Sequence, residues 1–399
     1  MVQATARIDI EPQGSGRPPL GELLERGCAF ESYTYSYPHK TAYRPFSPRP
    51  LERIWQGERR DSLFLYFHVP FCEMRCGYCN LFTQVRAPAD LEARYLDTIE
   101  RQAAAITNAL GDLRFARVAF GGGTPTRLSL PLLERLFDVA EQRFGASLSA
   151  LPVSLETSPT TSTTDKLAAL AARGINRISI GVESFVDDEL RALGRPLQAR
   201  ASIEALDRIR SHEFATLNID LIYGIAGQTA ASWQTSLETA LRWKPEEIYL
   251  YPLYVRPLTG LGKKQRSWQD IRTPLYRAGR AFLLTAGYEQ VSMRMFRRHN
   301  ATAPNGPVYC CQEDGLIGLG CGARSYTRGL HYSDEWAVGA AGVREILARW
   351  VGRPERNFAT AWYGFDLDGC DQRVRYVVKS LLHHDGLTLA DYRRTFGSD

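Results

Sequence analysis

Three cysteines lie within eight residues of this chain, and their spacing indicates the chemistry most directly. Cys72, Cys76 and Cys79 are arranged as C-x3-C-x2-C. Thiolates select soft metal centres, so three of them on one loop indicate zinc or an iron–sulfur cluster. A structural zinc needs a fourth protein ligand, and only His68 lies close by in the sequence. A [4Fe–4S] cluster held by three cysteines leaves one iron open for a substrate, which favours the cluster.

The overall composition excludes several classes of protein. The chain has 399 residues, of which 44% are hydrophobic and 23% charged, as in ordinary globular proteins. A net charge of +5 is too weak to indicate a nucleic-acid partner. We find neither an apolar run near the ~20 residues of a membrane span nor a signal peptide at the start, so we expect a cytoplasmic protein without a membrane partner. In that compartment the eight cysteines are metal ligands, catalytic groups or buried thiols rather than disulfides.

Short apolar runs alternate with helical stretches between residues 61 and about 287, which is typical of βα units around a parallel sheet. Six units in sequence indicate a partial barrel rather than a closed eightfold one. The predicted strands are Leu63–Val69, Arg117–Gly121, Pro152–Glu156, Arg177–Val182, Leu217–Tyr223 and Ile248–Tyr254.

The alternation is lost beyond residue 290. There we predict loops through 294–314, a glycine-rich turn over 316–326, and helices at 341–351 and 371–396. We therefore divide the chain into an arm rich in Pro, Tyr and Arg (1–60), a barrel (61–290) and a mainly helical C-terminal region (291–399), which we expect to be shortened.

The residues around the cysteines carry a family resemblance. Residues 66–79 read YFHVPFCEMRCGYC, which resembles the signature of radical S-adenosylmethionine (SAM) enzymes. The Y-x-H-[IV]-P-F-C opening resembles the branch that contains oxygen-independent coproporphyrinogen III oxidase (HemN-like proteins). The resemblance covers roughly residues 60–330. It implies an α/β fold with a partial (β/α)6 TIM-type barrel, a [4Fe–4S] cluster on the three cysteines, one or two SAM molecules, and a flavodoxin- or ferredoxin-type electron donor.

Further segments resemble those with which this family binds SAM, among them GGGTP (121–125), LGR (193–195) and NIDLIYG (218–224). In the resemblance Arg195 pairs with the SAM carboxylate, Asp220 contacts the ribose, and the glycine run contacts the SAM amino group. From the residues alone, we expect exposed N–H groups of this run to face a ligand that bears a carboxylate or an amine. We expect Glu156, Arg195 and Asp220 at successive strand ends of the barrel rim. The residues assigned to the cofactor are Tyr66, Tyr78, Gly122, Gly123, Thr124, Glu156, Glu183, Arg195 and Asp220.

Four positions depart from the family pattern. Glu183 replaces a usual Gln, Ala226 a Pro, Arg256 an acidic residue and Pro196 a His. An ionised glutamate only accepts hydrogen bonds, whereas glutamine also donates them. A pairing of Glu183 with Arg256 is one hypothesis for their joint presence. The two charge changes predict a substrate other than coproporphyrinogen III.

The sequence leaves the catalytic residues open. Arg294, Arg297 and Arg298 either bind carboxylates of an acidic substrate or form a solvated basic surface. For the cysteines of the C-terminal region, buried structural thiols are the default. The candidates for a catalytic role are Cys310, Cys311, Cys321 and Arg256.

Three functions remain open from the resemblance. The first is a HemN-like oxidoreductase that acts on a tetrapyrrole or another small organic molecule. The second is a radical SAM methyltransferase that uses two SAM molecules. The third is a HemW-like haem chaperone, for which we expect a haem-ligating His or Cys near the cluster; the arrangement H-N-x-C-x-Y-C is absent from the sequence. We expect a monomer.

Overall fold

The computed structural model describes residues 36–264, 269–301 and 315–397, together with Glu22 and Phe30. Within these ranges no helix combines the length and apolar character that a membrane crossing requires. Cys310 and Cys311 lie outside the described residues, so their catalytic role stays a prediction.

The fold is built on one mixed sheet and a short accessory ribbon, with helices between the strands. The strands are β1 (Arg44–Pro50), β2 (Leu63–Val69), β3 (Phe71–Cys72), β4 (Gln84–Val85), β5 (Phe115–Gly122), β6 (Val153–Thr157), β7 (Arg177–Glu183), β8 (Thr216–Tyr223), β9 (Glu247–Pro252), β10 (Tyr288–Gln290), β11 (Met295–Arg298), β12 (Leu316–Leu319), β13 (Arg324–Tyr326), β14 (Leu330–Ser333) and β15 (Thr360–Asp366). The α-helices are α1 (Leu51–Ile54), α2 (Ala89–Leu110), α3 (Leu130–Asp138), α4 (Thr164–Ala172), α5 (Asp187–Ala192), α6 (Ala199–Arg210), α7 (Ala230–Leu241), α8 (Arg272–Thr285), α9 (Ala340–Val351), α10 (Gly369–Leu381) and α11 (Leu389–Phe396).

The centre of the sheet is parallel, in the order β12-β2-β5-β6-β7-β8-β9. Its last six strands are those that the alternation predicts, each with ends within two residues of the prediction. They were detectable because parallel strands covered by helices are buried on both faces and therefore read as apolar runs. The sheet ends at β1 on one edge and β10 on the other, so the barrel is partial, as predicted.

The strand that leads to the cysteines shows how the two faces are used. Phe67 is fully buried and stacks on Phe120 with ring centroids 5.0 Å apart, and Phe120 in turn meets Phe137 of α3. Tyr66 and His68 alternate with Phe67 and therefore point to the opposite face, where they line a cavity. One face of β2 thus anchors the strand, and the other contributes to a site.

The C-terminal region differs from the prediction. The loop predicted over 294–314 begins with β11, which pairs antiparallel with β9 and β10. The glycine-rich turn predicted over 316–326 contains β12 and β13, and the single helix predicted over 371–396 is two helices, α10 and α11. These strands are only three or four residues long, too short for a periodic pattern, and they are defined by partners distant in sequence. β12, for example, pairs with β2, and β1 of the N-terminal arm pairs with β15.

Candidate active site

The three cysteines lie on one loop that leaves the carboxyl end of β2. Cys72 is the second residue of β3, and Cys76 and Cys79 follow in the loop; all three are partly exposed. Neighbouring segments hold this loop through the backbone of Gly77. Its N–H donates to the Leu193 carbonyl at 2.9 Å, and its carbonyl accepts from the Leu261 N–H at 2.7 Å. The loop is therefore fixed by residues that follow α5 and β9.

The glycine run at the end of β5 packs directly against the first cysteine. The Gly123 N–H donates to the Val69 carbonyl at 2.7 Å, and the Thr124 hydroxyl lies 3.7 Å from Cys72 Sγ. A Cβ on Gly123 would stand 2.6 Å from the Phe71 carbonyl oxygen and 3.0 Å from Cys72 Sγ. The absence of a side chain at Gly123 thus lets its backbone approach that of residues 69–71 closely. Its N–H groups at 122 and 123 are already taken by protein acceptors, contrary to the expectation that they face a ligand.

Glu156 is the last residue but one of β6, and its carboxylate lies next to this glycine run, as expected for a carboxylate close to the end of a barrel strand. Its Oε2 accepts the Gly122 N–H at 2.9 Å, while the side chain stays open to the cavity. The surrounding protein raises the pKa of Glu156 through desolvation, against the Gly122 hydrogen bond and the Arg177 charge.

His68 is engaged at both ring nitrogens. Nε2 lies 3.1 Å from the Phe82 carbonyl, so it carries the proton, and Nδ1 lies 3.2 Å from the Tyr66 hydroxyl. Burial lowers the pKa of His68 to about 4, which keeps the ring neutral. His68 is therefore held in one orientation by two neighbours within the protein.

Arg195 joins the cysteine loop to the end of β7. Its Nη1 lies 3.2 Å from Glu183 Oε1 and 3.3 Å from Cys76 Sγ, and its Nη2 donates to the Gly181 carbonyl at 2.5 Å. Both side chains are buried, and Tyr78 interacts with Glu183 as well. Burial raises the pKa of Glu183, and the Arg195 charge opposes that rise. Glu183 thus pairs with Arg195, whereas the hypothesis joined it to Arg256.

Glu183 also has an unusual backbone. Its φ is +69°, in the left-handed region that side chains other than glycine seldom adopt, and the β7–β8 register shifts between Gly181 and Glu183. A bulge at a strand end turns a side chain out of the regular alternation. Here it places the carboxylate against the guanidinium that reaches Cys76.

Two of the three predicted rim residues lie elsewhere. Asp220 is inside β8, paired with Gly181 and Tyr249, and Arg195 follows α5 rather than a strand. Burial raises the pKa of Asp220 to about 7, with the Glu183 charge adding to the rise, against a hydrogen bond from Asn218 Nδ2 at 2.7 Å. The short loop after α5, folding back onto Gly77, accounts for the position of Arg195.

The remaining candidates are dispersed. Cys321 is fully buried, and its N–H donates to the Tyr95 hydroxyl at 2.9 Å, a placement that favours packing over catalysis. Arg256 lies beyond β9, with its guanidinium carbon 5.8 Å from the Tyr254 ring centroid. Arg297 and Arg298 form ion pairs with Glu247 and Glu246 at 3.0 and 2.9 Å, and Arg294 stacks on Tyr251 at 5.3 Å. The first two are therefore neutralised within the protein rather than presented to a substrate.

A cavity of about 340 Å³ adjoins the cysteine loop. Three of the residues assigned to the cofactor line it, Tyr66, Gly122 and Glu156, and so do Lys40 and Arg324. The sequence analysis missed these two because they come from the N-terminal arm and from β13. No local motif marks either of them.

Known proteins with similar sequences show which family the chain belongs to. The model of the radical SAM superfamily matches residues 66–240. The chain belongs to the radical SAM superfamily. It is 32% identical over 288 residues to the Bos taurus protein "Radical S-adenosyl methionine domain-containing protein 1, mitochondrial", covering 70% of this chain and 62% of that relative. It is 29% identical over 354 residues to "Heme chaperone HemW" of Bacillus subtilis, covering 80% and 92%.

The HemN-like fold of this radical SAM protein is confirmed by a solved structure. Coproporphyrinogen III oxidase (HemN) from Escherichia coli superposes with a TM-score of 0.77 at 24% identity, over 92% of this chain and 86% of that one. The cofactors of the superfamily are a [4Fe–4S] cluster and SAM.

The residues of this radical SAM protein fit such a cluster. Cys72, Cys76 and Cys79 are free thiols on one loop, and cysteine thiolates are the ligands that hold an iron–sulfur cluster. Burial raises the pKa of Cys72 to about 12, against the Thr124 hydrogen bond, with Cys79 and Cys76 adding to the rise. A raised pKa favours the protonated thiol, and bound iron ions would favour the thiolate instead.

Proposed function

We propose that this chain is a radical SAM oxidoreductase of the HemN-like branch that modifies a small organic substrate. In this proposal Cys72, Cys76 and Cys79 hold the cluster. The residues assigned to the cofactor above would hold SAM, and the substrate would enter through the cavity that Tyr66, Gly122 and Glu156 line. The observation that carries the proposal is the Arg195 guanidinium on Cys76 Sγ, beside a cavity that exposes Glu156.

When bound, the cluster would pass one electron from the proposed flavodoxin- or ferredoxin-type donor to SAM, and this reductive cleavage would supply the radical chemistry that removes a hydrogen atom from the substrate. The protein contributes position and polarity. Arg195 donates to a cysteine sulfur, an interaction that tunes the reduction potential of a cluster. Glu156 offers a carboxylate oxygen to a cationic amino group, and Asp220 offers one to hydroxyl groups. The apolar residues packed on Tyr78, among them Leu193 and Ile222, exclude water from this side of the loop.

The test is anaerobic reconstitution with iron and sulfide, followed by reduction in the presence of SAM. We expect about four irons per chain and formation of 5′-deoxyadenosine. Replacement of Cys72, Cys76 or Cys79 by Ala is expected to abolish cleavage. Cys370→Ala, at an exposed thiol on α10, is the matched control and should retain it. Stoichiometric zinc without iron, or cleavage by the triple Ala variant, would contradict the proposal.

A haem-chaperone function is the second candidate, because the match to the Bacillus subtilis relative spans 92% of its length. Against it, His68, the histidine that precedes the cysteine loop, is buried and contacts protein groups at both ring nitrogens. Titration of the reconstituted protein with haem, followed by absorbance, separates the two. We expect no stoichiometric haem complex, and saturable binding of one haem with no substrate turnover would favour the chaperone.

We also propose a setting for this activity. The compartment is the cytoplasm, the electron donor is of the flavodoxin or ferredoxin type, and the protein acts as a monomer on a small molecule, with a tetrapyrrole as one substrate class. Reduction of the reconstituted cluster by a purified flavodoxin, followed by its absorbance, tests the donor.

A further inference from the structure

A buried carboxylate in α5 has no role in the site described so far. Glu189 lies in the first turn of this helix and is 3% exposed. Its Oε2 accepts the Ser184 hydroxyl at 2.6 Å and the Gln228 Nε2–H at 3.1 Å. Among the described residues no basic side chain forms an ion pair with Glu189, and its Oε1 is buried without a hydrogen-bond partner. A buried carboxylate held by neutral donors alone costs more free energy than an apolar side chain of similar volume, so stability does not explain it.

The partners of Glu189 belong to the turns that follow two barrel strands. Ser184 comes directly after the bulge at the end of β7, and Gln228 follows β8; both are buried. The Gln228 Oε1 accepts the N–H groups of Gly224 and Ile225 at 2.7 and 3.2 Å, which fixes the turn after β8. We call Glu189, Ser184 and Gln228 the α5 clamp, because they join this helix to both turns.

The helix in turn leads to the residues that hold the cysteine loop. The Leu193 N–H donates to the Glu189 carbonyl at 2.9 Å, and the Leu193 carbonyl accepts the Gly77 N–H at 2.9 Å. Two residues further on, the Arg195 guanidinium reaches Cys76 Sγ at 3.3 Å. Since both contacts extend from the C-terminal end of one short helix, a displacement of α5 would change both of them.

We propose that Glu189 is a positioning residue of the candidate active site, which fixes α5 so that Arg195 reaches Cys76 and Leu193 holds Gly77. The inference rests on the proposed function, because it takes Cys76 to be a ligand of the cluster. Hydrogen bonds to its sulfurs are among the features that set the reduction potential of a cluster, and donation by a cation favours the reduced state. Glu189 thus acts on the potential through Arg195 and touches neither the cluster nor SAM.

The first test measures the reduction potential of the anaerobically reconstituted protein, in a redox titration followed by electron paramagnetic resonance. We expect Glu189→Ala to bind iron at the wild-type level but to have a more negative potential, because Arg195 donates less well to the cysteine sulfur. Glu189→Gln keeps an oxygen for Ser184 and Gln228, so it should retain the wild-type potential.

The matched control is Glu238→Ala on α7. The Glu238 carboxylate also accepts an amide hydrogen from a glutamine, Gln234 at 2.7 Å, but this pair is exposed. We expect the potential of Glu238→Ala to equal that of the wild type. A shift in Glu189→Gln as large as that in Glu189→Ala would overturn the role given to the acceptor oxygen.

A double-mutant cycle decides whether the effect passes through Arg195. Arg195→Gln should lower the potential by more than Glu189→Ala does, and combining the two should lower it no further. An unchanged potential in Glu189→Ala, or a shift of the same size with and without Arg195, would overturn the assignment. Gln228→Ala breaks the same contact from the other side and should shift the potential in the same direction, so the assignment can be refuted even where Glu189→Ala does not fold.

The iron-free protein supplies a readout that does not depend on the proposed chemistry. Because the Gly77 N–H is held by Leu193, amide hydrogen exchange of the cysteine loop should be faster in Glu189→Ala than in the wild type, and unchanged in Glu189→Gln. A wild type that binds no cluster or does not cleave SAM contradicts the proposed function, and the exchange rates then decide the positioning role by themselves. A wild type that cleaves SAM, with loop exchange and potential both unchanged in Glu189→Ala, overturns the positioning role alone.

Discussion

The two walls of the cavity are built in different ways. The cysteine wall comes from adjacent strands, β2 and β5, and from backbone contacts too close for a side chain at Gly123. The opposite wall, which we call the basic wall, is lined by Lys40, just before β1, and Arg324 of β13. These two residues are brought together by the pairing of β1 with β15, β15 with β14 and β14 with β13. The first is fixed by local geometry that motifs encode, and the second by pairing between distant segments. A fold of this kind can change what it binds at one wall while leaving the other intact.

The largest effect is expected at the cysteine wall. Gly123→Val would place a Cβ 2.6 Å from the Phe71 carbonyl and 2.8 Å from the Val69 carbonyl, neither of which can move without shifting Cys72. We expect loss of most of the bound iron after reconstitution, measured by iron analysis. Gly329→Ala is the control, because a Cβ there meets nothing within 4 Å. Normal iron content in Gly123→Val would contradict the view that this wall is rigid.

The buried pair at Glu183 and Arg195 gives the next largest effect. Glu183→Ala leaves the guanidinium buried without its partner, and we expect a loss of about 3–5 kcal/mol in the free energy of unfolding. Glu183→Gln keeps an oxygen for Arg195 and should cost only about 1–3 kcal/mol. Urea denaturation measures both. Glu204→Ala, which breaks an exposed pair with Arg200, should cost less than about 1 kcal/mol. Equal losses in the Ala and Gln variants would contradict pairing through the carboxylate oxygen.

A matching change behind the basic wall sharpens the comparison. A Cβ at Gly364 of β15 would stand 2.2 Å from the His331 carbonyl of β14, so Gly364→Ala should force the two strands apart. We expect a loss of about 1–3 kcal/mol in unfolding free energy, as for other overpacked sites. Iron content after reconstitution should stay at the wild-type level. Parallel loss of iron would show that the two walls are coupled.

The free energy of unfolding should depend on pH through Asp220 of β8. The pKa of Asp220 is raised to about 7, above the ~3.9 of an unfolded chain, so between these values the native state binds more protons. The free energy of unfolding therefore falls as pH rises through this window. Asp220→Asn removes this titration. We expect the wild type to lose on the order of 4 kcal/mol relative to the variant between pH 4 and pH 7.5. Parallel stability curves would contradict the pKa shift.

The sequence predicted one wall far better than the other, for a physical reason. The six core strands and the cysteine loop carry their signal in consecutive residues, so apolar runs and spacing were sufficient. Strands β11 to β14 have at most four residues and gain stability only from their neighbours. Lys40 and Arg324 are distant in the sequence, and they become neighbours only when β1, β15 and β14 are paired. The ion pair of Glu183 with Arg195 could not be predicted from the sequence either. It depends on a bulge at which Glu183 has a positive φ, and no residue pattern indicates that bulge.

The smallest expected effect is that the protein does not convert coproporphyrinogen III to protoporphyrinogen. With reductant, SAM and coproporphyrinogen III under anaerobic conditions, we expect SAM cleavage without protoporphyrinogen. Coproporphyrinogen III carries four carboxylates, which the basic wall and Arg256 would attract, so binding alone does not decide the outcome. The cofactor side decides it, because the carboxylate of Glu183 is committed to Arg195 and cannot donate as the glutamine of the family pattern does. High-performance liquid chromatography of the oxidised porphyrins measures the product, with the relative from Escherichia coli as positive control. Protoporphyrin formed over more than a few turnovers would contradict the prediction and assign this chain to the oxidase reaction.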